Sequence, residues 1–532
     1  MTARAASDDL PALPDGVRTM LRPGDVVTDS AWPQGPVRSI HVVRIGGAGM
    51  SAVARLALEA GLAVSGSDSQ DGQFIGPLRA AGARIGIGFD AALLADDVDL
   101  VVVSTAVRAD NVEVIAARER GIPVIHRAAA FAGLLQDRRL LAVAGTHGKT
   151  STTAMAVLAL RGAGGDPAWA LGAAVPDLGR NAGLREDAGS ERPTGEGVPG
   201  SPLAVIEADE SDGSFLAFAP SALVVTNLEA DHLDFHGDEA TLVAAFDALV
   251  DRLATGGALV VCADDAGAAA LGERSAARGV DVLTYGRASG ADWRLLEETP
   301  EATGTHARLA GPVGEIDLDL HVTGHHNVLN AMGALAGCYA LLLADGHEAA
   351  DVADPAAVSA STSDPAVIAR ALATGVGPFT GASRRFDLRG VVRGVPVFDD
   401  YAHHPREVEA TIAAARGIVG PTGRVLVAFQ PHLYSRTRAF AGDFARALGQ
   451  ADETWVMPVY GAREDPDPAV DARTITDRAE PGAVLHALTD RAEVAPSLAA
   501  AAEDGDIVLM LGAGDIVEAT PGVLAALGGE QS

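Results

Sequence analysis

The sequence predicts an α/β protein of three domains: an N-terminal Rossmann-like parallel sheet, a central P-loop ATPase-like sheet and a C-terminal Rossmann-like sheet. Three observations lead there. At 532 residues the chain is too long for one hydrophobic core, and one domain per ~150 residues gives three or four. Apolar strands alternate with helical stretches along its length, which is the pattern of parallel sheets. Glycine-rich or charged segments follow those strands directly, at the edge where α/β sheets bind ligands.

Composition narrows the classes. Hydrophobic residues make up 48% and charged residues 21%, as in ordinary globular proteins. The 40 basic against 71 acidic residues, a formal charge of -31, exclude a nucleic-acid surface or an anionic membrane as partner. An acidic chain that binds phosphates must gather its few cations locally. Cys262 and Cys338 stand in apolar surroundings and are expected to be free buried thiols in a reducing, cytoplasmic compartment. No apolar leader opens the chain and no eighteen apolar residues run together, so neither secretion nor membrane insertion is expected.

Residues 1–36 carry prolines and acids without periodicity and read as a mobile tail. The first domain, 37–137, opens with the strand Ile40 to Ile45, the glycine turn Gly46-Gly47-Ala48-Gly49, and a helix from Met50 to Ala60. A second strand ends at Asp68, where a ribose-binding acid is expected. Strands at Asp99 to Ser104 and Ile122 to His126 alternate with helices near Phe74 to Ala81 and Asn111 to Arg120, giving a doubly wound sheet. Arg44 stands where G-x-G-x-x-G requires its first glycine, so the turn signals a diphosphate at a helix N-terminus without naming the nucleotide.

The second domain, 138–380, begins with the apolar strand Leu140 to Ala144 and the loop Gly145-Thr146-His147-Gly148-Lys149-Thr150-Ser151. Glycines 145 and 148 let backbone N–H groups turn inward, Lys149 supplies a charge for the outer phosphates, and Thr150 a hydroxyl for magnesium. The following helix, about Ser151 to Arg161, directs its positive end there. Leu203 to Ile206 then delivers Glu207, Asp209, Glu210 and Asp212 at a strand end, where a carboxylate can hold magnesium beside a phosphate loop. Asn181 to Ser201 and Asp345 to Gly377 read as exposed insertions. His232 and His236 are spaced for zinc, but no cysteine accompanies them, and a single histidine on a second magnesium is the sharper alternative. Asn327 and Asn330 share a helical face that suits an adenine edge, or else serve as cap and surface residues.

The third domain, 381–532, has strands ending in Asp399-Asp400-Tyr401-Ala402-His403-His404-Pro405, in Gln430 to Arg438, and in Gly512 to Asp515. Three polar strand ends together suggest a site.

Taken together, Gly-Gly-Ala-Gly-Met at 46–50, Ala-Gly-Thr-His-Gly-Lys-Thr at 144–150, Glu-Ala-Asp-Glu-Ser-Asp at 207–212 and Asn-Leu-Glu-Ala-Asp-His at 227–232 resemble the Mur ligases. Arg-Arg-Phe-Asp at 384–387, the segment 399–405 and Phe-Gln-Pro-His-Leu-Tyr-Ser-Arg-Thr-Arg at 429–438 narrow the resemblance to the alanine-adding branch. The resemblance implies that ATP activates the carboxylate of UDP-N-acetylmuramate for L-alanine through an acyl phosphate. The runner-up is the sibling that adds a recycled tripeptide. The resemblance further implies UDP-sugar contacts at Gly46, Gly47, Ala48, Gly49, Met50, Asp68 and Ser104. ATP would lie on residues 145–151 with Asn327 and Asn330, and two Mg2+ ions on Thr150, Glu207 and His232. Catalysis would rest on Lys149, His232, Arg385 and His403, and the amino acid would meet Tyr401, His403 and Arg436. The chain departs from the family at Arg44, where members carry glycine, and at Leu433, where some carry arginine. Two other classes remain open: a nicotinamide oxidoreductase, which leaves Lys149 unexplained, and a regulatory P-loop ATPase, which needs no small acceptor. The sequence is compatible with a monomer or a homodimer.

Overall fold

The computed structural model describes residues 31–184, 203–231, 233–301, 304–343, 364–381, 386–419, 422–461 and 464–528. The expected tail lies outside them up to residue 30, as do most of both expected insertions. The chain forms two compact units, Met1–Thr380 and Gly381–Ser532.

In the first unit, β1 (Ser39–Val43), β2 (Ala63–Asp68), β3 (Arg84–Ile87), β4 (Leu100–Val103) and β5 (Val124–His126) form an all-parallel sheet in the order β3-β2-β1-β4-β5. β1 and β4 are buried throughout, as strands covered by helices on both faces must be. Strand order reverses between them, and the crevice outside their C-terminal ends is where the first glycine turn sits.

The second sheet contains β6 (Arg139–Ala144), β7 (Ala168–Ala170), β8 (Ala182–Gly183), β9 (Leu203–Glu207), β10 (Ala222–Val225), β11 (Ala258–Cys262), β12 (Asp281–Gly286), β13 (Trp293–Glu301), β14 (Gly304–Gly311) and β15 (Gly314–Leu320). Its order is β15-β14-β13-β12-β11-β10-β6-β9-β7-β8, with β6 paired in parallel to β10 and β9. The phosphate loop and the acidic strand end thus open on the same edge. The helix His325–Leu343 is long and apolar enough to cross a membrane, but 78% of that span is buried. A side chain at Gly337 would meet Val224 at 2.5 Å and Leu141 at 3.1 Å, so the helix lies directly on β10 and β6.

One hydrophobic core runs through both sheets, from Ile40 and Leu56 through Phe131 to Ile206 and Phe246. This shared core makes the first two expected domains one compact unit.

Two readings need correction. Asp345 to Gly377 is not wholly an insertion, because Pro365–Val376 is a helix. Asp364 caps it on Ala366 N, Pro365 suits its first turn, and Ala369, Leu372, Ala373 and Val376 bury one face. The segment from Asn181 likewise begins inside the fold, with Asn181 buried and residues 182–183 forming β8.

In the second unit, β16 (Asp387–Val392), β17 (Val395–Asp400), β18 (Val425–Phe429), β19 (Glu453–Val456), β20 (Leu485–Ala487) and β21 (Ile507–Leu511) are ordered β16-β17-β21-β18-β19-β20. All pairs are parallel except the β16–β17 hairpin. Val425, Val427 and Phe429 face one core, Leu426 and Ala428 the other. Their alternation is why β18 reads as a continuous apolar run.

Candidate active site

The loop between β6 and the helix Lys149–Gly162 turns on two left-handed glycines, Gly145 with φ 127° and Gly148 with φ 81°. Neither tolerates a side chain. A Cβ on Gly145 would strike Thr226, and one on Gly148 would strike Asn330. The loop is held from the β10 side. Asn227 accepts from His147 N at 2.7 Å and donates to His147 O at 3.1 Å, and the Thr226 hydroxyl donates to His147 O at 2.6 Å. Thr146 Oγ1 accepts from Glu229 N at 3.0 Å. A cradle fixed this way spends the N–H groups of Thr146 and His147 on Asn227 and leaves those at the start of the helix to face an anion.

Lys149 Nζ donates to the carbonyls of Gly145 at 2.7 Å and Thr146 at 3.2 Å, and to Glu210 Oε1 at 2.8 Å. Burial disfavours its charge, but Glu210, with Asp209 and Glu207 behind it, outweighs burial and holds the Lys149 pKa above its usual value. Burial pushes Glu210 up to about 7, against the opposing pull of Lys149. The Thr150 hydroxyl donates to Glu207 Oε2 at 3.0 Å, and Gly172 N donates to the same oxygen at 2.8 Å. These adjacent hydroxyl and carboxylate oxygens are hard donors of the kind magnesium takes in ones and twos beside phosphates. Among the described residues, no three His, Cys, Asp or Glu side chains gather as a fuller metal cage.

His232 and Arg385 lie outside the described residues. His236, the other half of the zinc spacing, is buried and meets the Glu210 carbonyl through Nε2 at 2.9 Å, so it braces the acidic loop. The two asparagines part company: Asn330 packs against Gly148, whereas Asn327 donates to Thr323 O at 2.9 Å. Ser151 follows Thr150 in the first turn of the helix.

At the first glycine turn, Gly46 to Gly49 remain accessible where the chain enters the helix Ala48–Glu59. Asp68 is nearly buried and accepts from Gly46 N at 2.8 Å. Its carboxylate therefore shapes the turn, where the spacing had suggested a ribose contact. The Met50 side chain packs in the core, which leaves its backbone as the part beside the turn. Ser104 closes β4 across the crevice. Arg44 adopts φ 60°, the left-handed region that glycine occupies freely, and its Nη1 donates to Ala106 O at 3.1 Å.

In the second unit, the three expected strand ends do meet. Gly512 N donates to Asp400 O at 3.0 Å, and Gln430 donates to Asp515 Oδ1 at 2.6 Å. Tyr401, His403, His432 and Tyr460 form an aromatic row with ring centroids 5.4, 5.8 and 5.8 Å apart. His403 Nδ1 lies 3.0 Å from Tyr401 O and 3.2 Å from Glu407 Oε2. A carbonyl and a carboxylate only accept, so the ring proton belongs on Nδ1 and Nε2 is left as the acceptor. Arg436 is buried one turn into the helix Tyr434–Ala439. Leu433 is also buried, with φ 68°.

Residues 39–139 match the Mur ligase family catalytic domain, 143–338 the Mur ligase middle domain and 384–514 the Mur ligase glutamate ligase domain. The UDP-N-acetylmuramate–L-alanine ligase of Paenarthrobacter aurescens is 45% identical over 92% of this chain and 97% of its own. The chain belongs to the Mur ligase family. The same-named ligase of Kineococcus radiotolerans is 46% identical over 92% of this chain and 96% of its own. Among solved structures, the UDP-N-acetylmuramate–alanine ligase of Thermotoga maritima superposes with a TM-score of 0.69 at 28% identity, covering 91% of this chain and 98% of that one. A murein peptide ligase from Psychrobacter arcticus, 23% identical with a TM-score of 0.67 over 93% of this chain and all of its own, shares the fold.

This Mur ligase also contains site residues that sequence reasoning missed. Glu210, the partner of Lys149, was visible only as one acid of a cluster. Asn227, which clamps the phosphate loop, lay in a quoted motif without a role. Arg127 gave no local signal, although its Nη2 lies 2.7 Å from Asp209 and 3.7 Å from Asp212.

Proposed function

We propose that this Mur ligase joins L-alanine to the carboxylate of UDP-N-acetylmuramate, converting ATP to ADP and phosphate. The observation that carries the reading is the phosphate loop itself, with Lys149 and the Thr150–Glu207 pair on one sheet edge. The alanine-ligase relatives at 45% and 46% identity supply the substrate class.

In the first step a carboxylate oxygen attacks the γ-phosphorus of ATP, the bond to the β,γ-bridging oxygen breaks, and ADP leaves. Two anions must approach, so the residues that neutralise charge matter most. Lys149 faces the outer phosphates, and the N–H groups that open the helix at Lys149 and Thr150 hold them in line. Thr150 and Glu207 would hold magnesium, which when bound neutralises phosphate charge. We assign a second ion to His232 and a phosphate or carboxylate contact to Arg385. Asn327 takes the nucleotide's base side, Asn330 backs the phosphate loop at Gly148, and the turn at residues 46–49, with Ser104, takes the UDP diphosphate.

In the second step the alanine amine attacks the acyl carbon, the bond from carbon to phosphate oxygen breaks, and inorganic phosphate leaves. The amine attacks only when neutral. His403 Nε2, left as an acceptor by the partners of Nδ1, takes its proton, while Tyr401 and Arg436 line the amino-acid side. We assign the three expected domains, 37–137, 138–380 and 381–532, to UDP-sugar, ATP and amino acid. ATP and nucleotide sugars place the reaction in the cytoplasm.

The experiment is isotopic. With the sugar carboxylate labelled with heavy oxygen, one labelled atom passes into the released phosphate. Label absent from phosphate contradicts the acyl phosphate. Replacing alanine with glycine, serine or tripeptide distinguishes the alanine ligase from its sibling.

A further inference from the structure

Arg127 begins the helix Arg127–Leu134 that follows β5, and its guanidinium touches both nucleotide edges of the first unit. On one side it lies over the first glycine turn. A Cβ placed on Gly49 would sit 3.0 Å from Arg127 Nη1 and 3.7 Å from the guanidinium carbon, so the guanidinium packs directly on the turn and a side chain there would displace it by a few tenths of an ångström. On the other side, Nη2 contacts Asp209 Oδ2 at 2.7 Å and Asp212 Oδ2 at 3.7 Å. Asp212 is tied back to the first sheet's edge by the Thr105 hydroxyl at 3.1 Å, with His126 Nε2 at 3.8 Å. Asp209 adjoins Glu210, which holds Lys149. A continuous path of charge therefore runs from the helix N-terminus at Gly49, through Arg127 and the 209–212 loop, to the lysine of the phosphate cradle. A second strut runs beside it: Asn181 donates to Ala48 O at 2.7 Å and to Ser51 Oγ at 3.0 Å.

We propose that Arg127 is a positioning residue that couples the two nucleotide subsites, so that a diphosphate at the Gly46–Gly49 turn and a triphosphate on the Gly145–Lys149 loop strengthen each other's binding. This rests on the function proposed above. An anion at the first helix N-terminus attracts the guanidinium and fixes it. The fixed guanidinium orders Asp209 and Asp212, and with them the Glu210 carboxylate against Lys149. The second ligand then meets a loop already ordered, which is positive coupling without a large structural change. Thermodynamic linkage requires the same factor in both directions.

The test is calorimetric, on the full chain. UDP-N-acetylmuramate is titrated with and without a non-hydrolysable ATP analogue plus magnesium, and the analogue with and without the sugar nucleotide. In the unaltered protein each ligand should tighten the other by about fivefold or more, the lower end of ordinary coupling. Arg127→Gln should bring the factor close to one while each ligand still binds alone. Asp209→Asn leaves the guanidinium in place, is more easily tolerated because Asp209 is partly exposed, and should reduce the factor as well. A merely structural arginine would weaken both ligands and leave the factor intact. An unchanged factor in folded Arg127→Gln, or in Asp209→Asn should Arg127→Gln fail to fold, overturns the proposal, as does a factor of one in the unaltered protein. Failure of either nucleotide to bind the unaltered protein at all would instead overturn the function on which the proposal rests.

Discussion

At the scale of single residues, the phosphate loop is defined by what it cannot accommodate. Gly148→Ala adds a Cβ at φ 81° that meets Asn330, so nucleotide binding should fall at least tenfold, and calorimetry with the ATP analogue measures it. Unchanged affinity would mean that the loop is looser than described. Lys149→Ala should abolish ADP formation while leaving a folded protein, because Glu210, already pushed up to about 7, takes a proton once its cation is gone. Glu210 also predicts a pH dependence. Its folded pKa lies above the ordinary value of 4.5, so between pH 4.5 and about 7 the folded state binds more protons than the unfolded state. Stability contributed by this group is complete below pH 4.5 and is lost as pH rises through about 7. Thermal unfolding between pH 5 and 8 should accordingly decline less steeply in Glu210→Gln than in the unaltered protein. Equal slopes would contradict the assignment. Arg44 and Leu433, the two departures from the family pattern, are both left-handed non-glycine residues. The glycine common at the first position is thus a backbone requirement, which Arg44 meets while gaining a bond to Ala106.

At the scale of elements, the helices Lys149–Gly162 and Pro365–Val376 cross at two glycines. A Cβ on Gly375 would lie 2.5 Å from Leu158 O and 2.9 Å from the Gly162 Cα. Gly375→Ala should therefore cost ~1–3 kcal/mol by overpacking, measured by urea denaturation. A neutral result would place the second helix elsewhere. The same helix shows where sequence reading fell short. Its cap at Asp364, Pro365 and its spaced apolar residues were all legible, but Ala and Ser in the preceding stretch masked the periodicity. The first sheet was more legible, since β1, β4 and β5 are mostly apolar runs and β2 follows a helix stop at Gly61 and ends in Asp68. The edge strand Arg84–Ile87, half exposed and only four residues long, does not. The antiparallel strands β13 to β15 alternate buried and exposed positions, a weaker signal than a continuous run.

At the scale of the whole molecule, motifs that sit on one strand end were readable, and contacts that join distant segments were not. Lys149, Thr150 and Glu207 could be named from local pattern. Arg127 could not, because its partners Asp209 and Asp212 stand on another sheet. The second unit has separate cores on the two faces of its sheet. The isolated segment 381–532 should therefore unfold cooperatively on heating, as followed by circular dichroism. A gradual, sloping melt would show that its core depends on the rest of the chain. Across a chain of formal charge -31, cations that can serve phosphates are few, and Lys149 and Arg127 are both held by carboxylates, which keeps them in place until an anion arrives.

The most direct measurement is ADP release by the purified protein with magnesium, ATP, UDP-N-acetylmuramate and L-alanine, repeated with each acceptor withheld. Sustained release is predicted only for the complete mixture, with a single product that carries alanine on the sugar nucleotide. ADP formed at the same rate without the acceptors, or none formed with all of them present, would contradict the account.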